Sequence, residues 1–329
     1  MATAQLDRDL DVLATGAGIV DRSERGKLAL TGAGAAEFLN GLVTNEIEAL
    51  APGAGAYAAV LTPKGKMLGD LRVLHAGDEL LLDTERAALQ EVFNVLWRGR
   101  VGYDVEIHKR TLETGLLSVA GPRAREVTGA DTAPAAERGA SGDGSPGLPS
   151  EEHAHAGSEI GGVAVRLVVT DAGVDVLCAA GDVEAVAAAL RARGAADVSP
   201  DALETLRVER GRPRYGVDID DSTIPQEAGL NERAVSFTKG CYVGQETVAR
   251  LYYRGKPNRH LRGLRLSGPA APGDELARDG RPVGRLGTVA RSPRHGHIAL
   301  ALVRREAQPG DTLAVGGGGT AAEVVELPF

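Results

Sequence analysis

Apolar residues change rhythm three times along this chain, and no single core accommodates all three rhythms. From residue 1 to about 110, strand-like runs at Leu28 to Leu30 and Leu80 to Leu82 alternate with helical spacing, first at Ala35, Phe38, Leu39 and Leu42, then at Leu89, Val92, Phe93 and Leu96. One apolar stripe per helix implies packing on a sheet, and Trp97 at the end of the second helix reads as packing too. From Leu116 the order becomes strand, short helix, strand, strand, helix, strand. It runs through Leu116 to Ala120, a helix opened by Pro122, alternation at Val163, Val165, Leu167 and Val169, the strand of Val174, Val176 and Cys178, a helix from Asp182 and a strand near Val198. That order predicts a ferredoxin-like split βαβ unit, with Cys178 on an inward face. Ser199-Pro200 then opens a helix that Gly211 closes. In the last 70 or so residues, turn pairs at Pro272-Gly273, Asp279-Gly280 and Pro309-Gly310 separate short apolar runs such as Ile298 to Val303, which predicts an all-β barrel.

At 329 residues the chain exceeds the size of one ordinary core. The expected division is an α+β core from 1–110 with 199–257, a ferredoxin-like domain from 111–198, and a C-terminal antiparallel β-barrel from 258–329. An Ala, Gly, Ser, Pro and Glu-rich insert at about 131–158 is too poor in apolar residues to order itself, and it carries His153 and His155. His295 and His297 share a strand spacing but lack a third ligand in register. No apolar run is long enough to span a bilayer, and Asp7, Asp9 and Asp11 replace the basic start of a leader, so a cytoplasmic protein without membrane partners is expected. Two cysteines make no disulfide framework, and they cannot hold an iron-sulfur cluster by themselves. The formal charge of −8 and an aromatic content of 3% argue against direct nucleic-acid binding, although Arg250, Arg254, Lys256, Arg259, His260, Arg262 and Arg265 form a local basic run.

One stretch has the composition of a chemical site. Lys239-Gly240-Cys241-Tyr242-Val243-Gly244-Gln245-Glu246 concentrates a cation, a thiol, a carboxamide and a carboxylate between two glycines. Gly240 and Gly244 permit positive φ or close approach to a ligand, and Lys239 favours the thiolate of Cys241. Gln245 and Glu246 are placed to orient a polar group beside the sulfur. The same residues also fit a cysteine buried as a small apolar side chain beside a tight turn. Glu209 stands out separately, because a carboxylate in the last turn of a helix opposes the helix dipole. Either the neighbouring arginines Arg207, Arg210 and Arg212 neutralise it, or a ligand does.

From Leu206 to Arg250 the chain resembles the YgfZ-type folate-binding family, relatives of the glycine-cleavage T protein, with the Lys-Gly-Cys-Tyr-x-Gly-Gln-Glu signature matched at every specified position. Weaker family-like stretches are Phe38 to Asn45, Thr62 to Leu71, Leu117 to Pro122 and Ile298 to Ala301. The resemblance implies a three-domain ring around a folate cavity, formed chiefly by the first of the expected domains. It implies tetrahydrofolate or a one-carbon derivative as ligand, no permanently bound metal, and a role in assembling or repairing iron-sulfur proteins, among them enzymes that modify transfer RNA. It also implies that Glu209 binds the pterin and that Asp70 occupies the place of a functional aspartate, although Gly69 stands where many T proteins have a second acidic residue. Arg207 or Arg250 suits the anionic folate tail.

Two functions follow from the resemblance. In the first, an accessory factor binds folate and acts on iron-sulfur proteins or cluster-assembly factors through Cys241, activated by Lys239. In the second, a tetrahydrofolate-dependent aminomethyltransferase needs no cysteine at that place. The Cys241 signature favours the first.

Overall fold

The computed structural model describes residues 2–132, 147–317 and 319–329. Helix α1 (Ala2–Thr15) leads into strand β1 (Gly18–Asp21). A first unit follows: β2 (Gly26–Thr31), α2 (Ala35–Asn40), β3 (Gly55–Leu61), β4 (Met67–His75), β5 (Glu79–Thr84), α3 (Leu89–Gly99) and β6 (Glu106–Lys109). Its sheet has the order β3-β4-β5-β2-β6. Val92 and Leu96 of α3 and Phe38 and Leu39 of α2 are buried on it, as their spacing requires.

The second unit comprises β7 (Thr114–Ala120), α4 (Ala124–Thr128), β8 (His155–Ile160), β9 (Val163–Val169), β10 (Gly173–Ala179), α5 (Val183–Ala192) and β11 (Ala196–Asp197). Its sheet runs β11-β1-β7-β10-β9-β8. Removing β1 and the edge strand β8 leaves the expected ferredoxin-like order, with Cys178 buried in the core. The first unit has the same arrangement once its edge strand β3 is set aside, so the two units repeat one topology. Strand β1 departs from the expected division. It belongs to the 1–110 segment in sequence but lies between β11 and β7, pairing parallel with the first and antiparallel with the second.

Part of the expected flexible insert is ordered. Residues 133–146 lie outside the described residues, but His155 begins strand β8 and anchors it to the first unit, its amide donating to Gly53 O at 2.8 Å. Backbone pairing with β9 orders a segment that has little apolar surface of its own.

Helices α6 (Pro200–Glu209), α7 (Asn231–Ala234) and α8 (Gln245–Arg254) precede β12 (Arg259–Leu266), β13 (Glu275–Arg278), β14 (Arg281–Ser292), β15 (Gly296–Arg304), β16 (Thr312–Val315) and β17 (Thr320–Val325). These six strands form a closed antiparallel barrel in the order β12-β15-β14-β13-β16-β17, with β17 pairing back on β12. Ser199 stands at the N-cap of α6, yet its hydroxyl is buried without a partner, and its amide instead donates to Asp9 Oδ2 at 2.8 Å. The helix is thereby fixed by α1. The two α/β units and the barrel form a three-domain ring, and a small apolar layer of Leu74, Leu116, Val168 and Leu177 joins the two sheets. No helix among the described residues is long and apolar enough to cross a membrane. Trp97 remains about half exposed, stacked on Phe93 and covered by the Arg100 guanidinium.

Candidate functional site

The two sheets and α6 enclose a central cavity of about 200 Å³. Strand alternation delivers its floor. Tyr57 on β3, Asp70 and Arg72 on β4 and Asp83 on β5 all face it. Tyr57 Oη donates to Asp70 Oδ2 at 2.5 Å. Burial pushes the Asp70 carboxyl up to about 6, against the opposing effect of the Tyr57 hydrogen bond, and burial likewise drives the Tyr57 phenol well above its ordinary value. Tyr57 is therefore a neutral donor, and Asp70 titrates near neutrality. Asp83 behaves in the opposite way. Burial alone would raise it, but Arg25 at 2.7 Å and Arg72 at 2.8 Å hold it at about 2. Arg72 also reaches Asp175 of the second unit at 2.8 Å, so this ion network joins the two sheets beneath the cavity.

The segment just before β8 supplies one wall. Glu152 accepts from Arg233 of α7 at 2.5 Å, and the Arg233 guanidinium lies 5.3 Å from the Tyr57 ring. His153 lines the cavity beside Tyr57, with ring centroids 6.5 Å apart. Tyr57, Glu152 and Arg233 belong to no motif in the sequence, and His153 falls in the segment expected to be flexible. The alternation of Gly55-Ala56-Tyr57-Ala58-Ala59 was the only local signal for any of them.

Helix α6 forms the opposite wall through Leu203, Glu204, Leu206 and Arg207. Glu209 is not among the lining residues. Five residues separate it from Glu204, a rotation of about 140° on an α-helix, and its carboxylate accepts from Ser292 Oγ of the barrel at 2.5 Å. The carboxylate that α6 gives to the cavity is Glu204. Arg207 does line the cavity, but its nitrogens are committed to Glu204, to Asp218 at 2.8 Å, to Thr288 at 2.6 Å and to the carbonyl of Arg212. It fastens α6 to the barrel and to the loop after it.

The Lys239 to Glu246 stretch lies elsewhere. None of its residues lines the cavity, nor does Arg250, which is exposed on α8. Cys241 is a free, exposed thiol. Lys239 does not spend its charge on the sulfur. The ammonium donates to the carbonyls of Asn40, Val43 and Asn45 at 2.6, 2.9 and 2.8 Å, which occupies all three of its protons, and burial lowers it to about 8. Tyr242 is buried in the core beneath α8, which pushes its phenol up to about 12. Gly244 takes φ 86° as the N-cap of α8, with its Cα so close to Thr62 that an added Cβ would sit 2.6 Å from that carbonyl. Gly240 has no positive φ, and a Cβ there would meet nothing. Gln245 Nε2 lies 3.4 Å from Gly240 O, and Glu246 is exposed in the first turn of α8, where its charge suits the helix dipole.

The stretch is thus a clasp. It binds the 40–45 loop through Lys239 and the 62–66 turn through Gly244. Asn45 then donates to the carbonyls of Tyr57 at 2.9 Å and Arg233 at 3.3 Å, so the clasp buttresses two residues of the cavity without reaching it.

Comparison with known proteins places the chain in a family. The GCVT N-terminal domain model matches residues 2–239, and the glycine cleavage T-protein C-terminal barrel domain model matches residues 259–329. The chain belongs to the glycine-cleavage T-protein family. Among its relatives is an aminomethyltransferase of Geobacillus kaustophilus, 30% identical, with 99% of this chain and 90% of that one covered. Another is a putative chloroplastic transferase of Arabidopsis thaliana, also 30% identical, with 94% of this chain and 71% of the relative covered. The glycine cleavage system aminomethyltransferase T of Bartonella henselae superposes with a TM-score of 0.82 over 98% of this chain and 89% of its own, at 22% identity, and so shares the T-protein fold.

Proposed function

We propose that the protein is a tetrahydrofolate-dependent one-carbon transferase of the aminomethyltransferase type, with the folate held in the central cavity. The single observation that carries this reading is Asp70, a buried carboxyl poised near neutrality inside the cavity with a neutral phenol bonded to one of its oxygens. The donor set suits a folate. Asp70 and Glu204 offer acceptors to pterin N-H groups, and Arg22, Arg210 and Arg212 along the lining offer guanidinium groups to an anionic tail. When bound, a reduced folate supplies a ring nitrogen that accepts a one-carbon unit. Asp70 holds or releases a proton at the oxygen that Tyr57 leaves free, and Tyr57 fixes the plane of that carboxyl.

Calorimetric titration with tetrahydrofolate, followed by assay with a lipoylated carrier protein bearing an aminomethyl group, tests this reading. Methylenetetrahydrofolate should form with the wild type and not with Asp70→Asn. Binding of folate with no product from the aminomethyl donor would remove the transferase assignment.

A second reading, an accessory factor for iron-sulfur proteins, is favoured by one observation: Cys241 is exposed and outside the cavity, which leaves its sulfur open to solvent and to a partner. Cys241→Ser should then abolish rescue of an iron-sulfur enzyme in a deletion strain. Full rescue would eliminate that role for the thiol.

A further inference from the structure

We propose that His153 contacts the ligand of the central cavity, presenting a neutral Nε2-H donor to the ring carbonyl of a 4-oxopteridine. This rests on the folate reading above and goes beyond it by naming what distinguishes one pteridine from another.

Four features of His153 support the assignment. First, it holds φ 72°, a region uncommon for residues other than glycine, and an added Cβ on the facing Gly55 would collide with its backbone and side chain. A non-glycine residue kept in such a conformation points to a local demand that outweighs the strain. Second, it lines the cavity beside the Tyr57–Asp70 pair, with 12% of its side chain exposed.

Third, Nδ1 is buried with no hydrogen-bond partner. A buried lone pair without a partner is tolerated better than a buried N-H without one, and the cationic Arg72 favours a lone pair in its neighbourhood, so the ring proton resides on Nε2. Fourth, Nε2 stands 3.7 Å from Glu152 Oε1, beyond hydrogen-bond range, while Glu152 is already held by Arg233. The Nε2-H is therefore an uncommitted donor in a cavity whose floor offers an acceptor at Asp70.

Burial, helped by the charged groups around the ring, keeps it neutral. Burial lowers His153 to about 3, and Arg72 of β4 and Arg233 of α7 act in the same direction, against the smaller opposing effects of Asp171 and Asp83. A neutral imidazole donates one hydrogen bond without bringing a buried charge, which suits an uncharged carbonyl. Asp70 reads an N-H and His153 reads a C=O. A 2,4-diaminopteridine, which carries an amino group where the natural ring carries its oxygen, would face His153 with a donor against a donor.

The experiment compares binding of tetrahydrofolate and its 2,4-diamino analogue by calorimetry for the wild type, His153→Phe and His153→Gln. The wild type should prefer the 4-oxo ligand. His153→Phe should lose about 10-fold in affinity for tetrahydrofolate and little for the diamino analogue, so that the preference collapses. Retained binding of the analogue shows that the variant is folded. His153→Gln, whose amide nitrogen restores a donor near Nε2, should recover most of the preference. Failure of the wild type to bind tetrahydrofolate would overturn the folate reading and this inference together. Wild-type binding with an unchanged preference in His153→Phe would overturn this inference alone. Should that variant fail to fold, long-range proton-nitrogen spectra of the wild type decide: an Nε2-H tautomer that shifts on adding tetrahydrofolate supports the contact, and an unmoved signal refutes it.

Discussion

Asp70 and Asp83 stand on adjacent strands, line the same cavity and titrate in opposite directions, the first near 6 and the second near 2. Their difference lies in their partners. Asp83 is gripped by Arg25 and Arg72, whereas the Asp70 carboxyl accepts from the Tyr57 hydroxyl and its burial outweighs that bond. Two carboxylates in one cavity have thus been given separate work, one to hold the sheets together and one to remain available for protons.

Asp70→Asn should stabilise the protein while removing transferase activity. A folded-state value near 6 lies above the ordinary 3.8, so the native state binds the extra proton and stability declines as pH rises from about 4 to about 6. The shift of roughly two units corresponds to about 3 kcal/mol at most. The amide substitution removes that penalty, so melting temperature above pH 7 should exceed the wild-type value and its decline between pH 4 and 6 should flatten. A lower melting temperature at pH 7.5 would show that Asp70 is a structural ion.

Asp83→Asn should do the reverse. Its depressed value contributes stability that is present above the ordinary carboxylate range and is lost as pH falls toward 2. Removing the charge leaves Arg25 and Arg72 buried without their shared counter-ion, at a cost of about 3 kcal/mol or more. Denaturant unfolding at pH 7 measures it, and a change below about 1 kcal/mol would mean that Glu85 and Asp175 suffice.

The two glycines of the clasp should respond differently to alanine. Gly244→Ala meets both a positive φ and the Thr62 carbonyl, so it should lose about 2 kcal/mol or more. Gly240→Ala meets neither and should stay within about 0.5 kcal/mol of the wild type. Equal losses in thermal unfolding would refute the clasp geometry.

Local rhythm carried much of this molecule. The barrel was legible because turn pairs punctuate it, and the second unit because apolar residues alternate along β9 and β10. The insertion of β1 between β11 and β7 was not legible, since periodicity assigns a residue to a face and says nothing about which sheet receives a four-residue strand. For the same reason the first unit's identity of topology with the second went unread. In the site, Asp70 was reached only through the family likeness. Glu209 drew notice because a carboxylate at a helix end is conspicuous in sequence, while the one that lines the cavity, Glu204, looks like an ordinary surface residue. His153 looked like part of a flexible insert because its neighbours are polar and the segment's order comes from the strand pairing that follows it. The reactive-thiol pattern around Cys241 misled in one particular: a lysine two residues away in sequence turned its ammonium toward three carbonyls instead of the sulfur.

That geometry separates Lys239 from Cys241 experimentally. Lys239→Met keeps the aliphatic stem but leaves three carbonyls of the 40–45 loop without their donor, a loss of about 2–3 kcal/mol. Because Asn45 in that loop also supports the Tyr57 and Arg233 backbones, the substitution should weaken tetrahydrofolate binding as well as lower the melting temperature, although Lys239 touches neither the ligand nor the cavity. Cys241→Ser should change neither quantity. Alkylation of the native protein should modify Cys241 and spare Cys178, which is buried and whose thiol burial pushes up. If Lys239→Met leaves stability and affinity intact but slows alkylation of Cys241, the ammonium serves the sulfur after all, and the clasp is not its role.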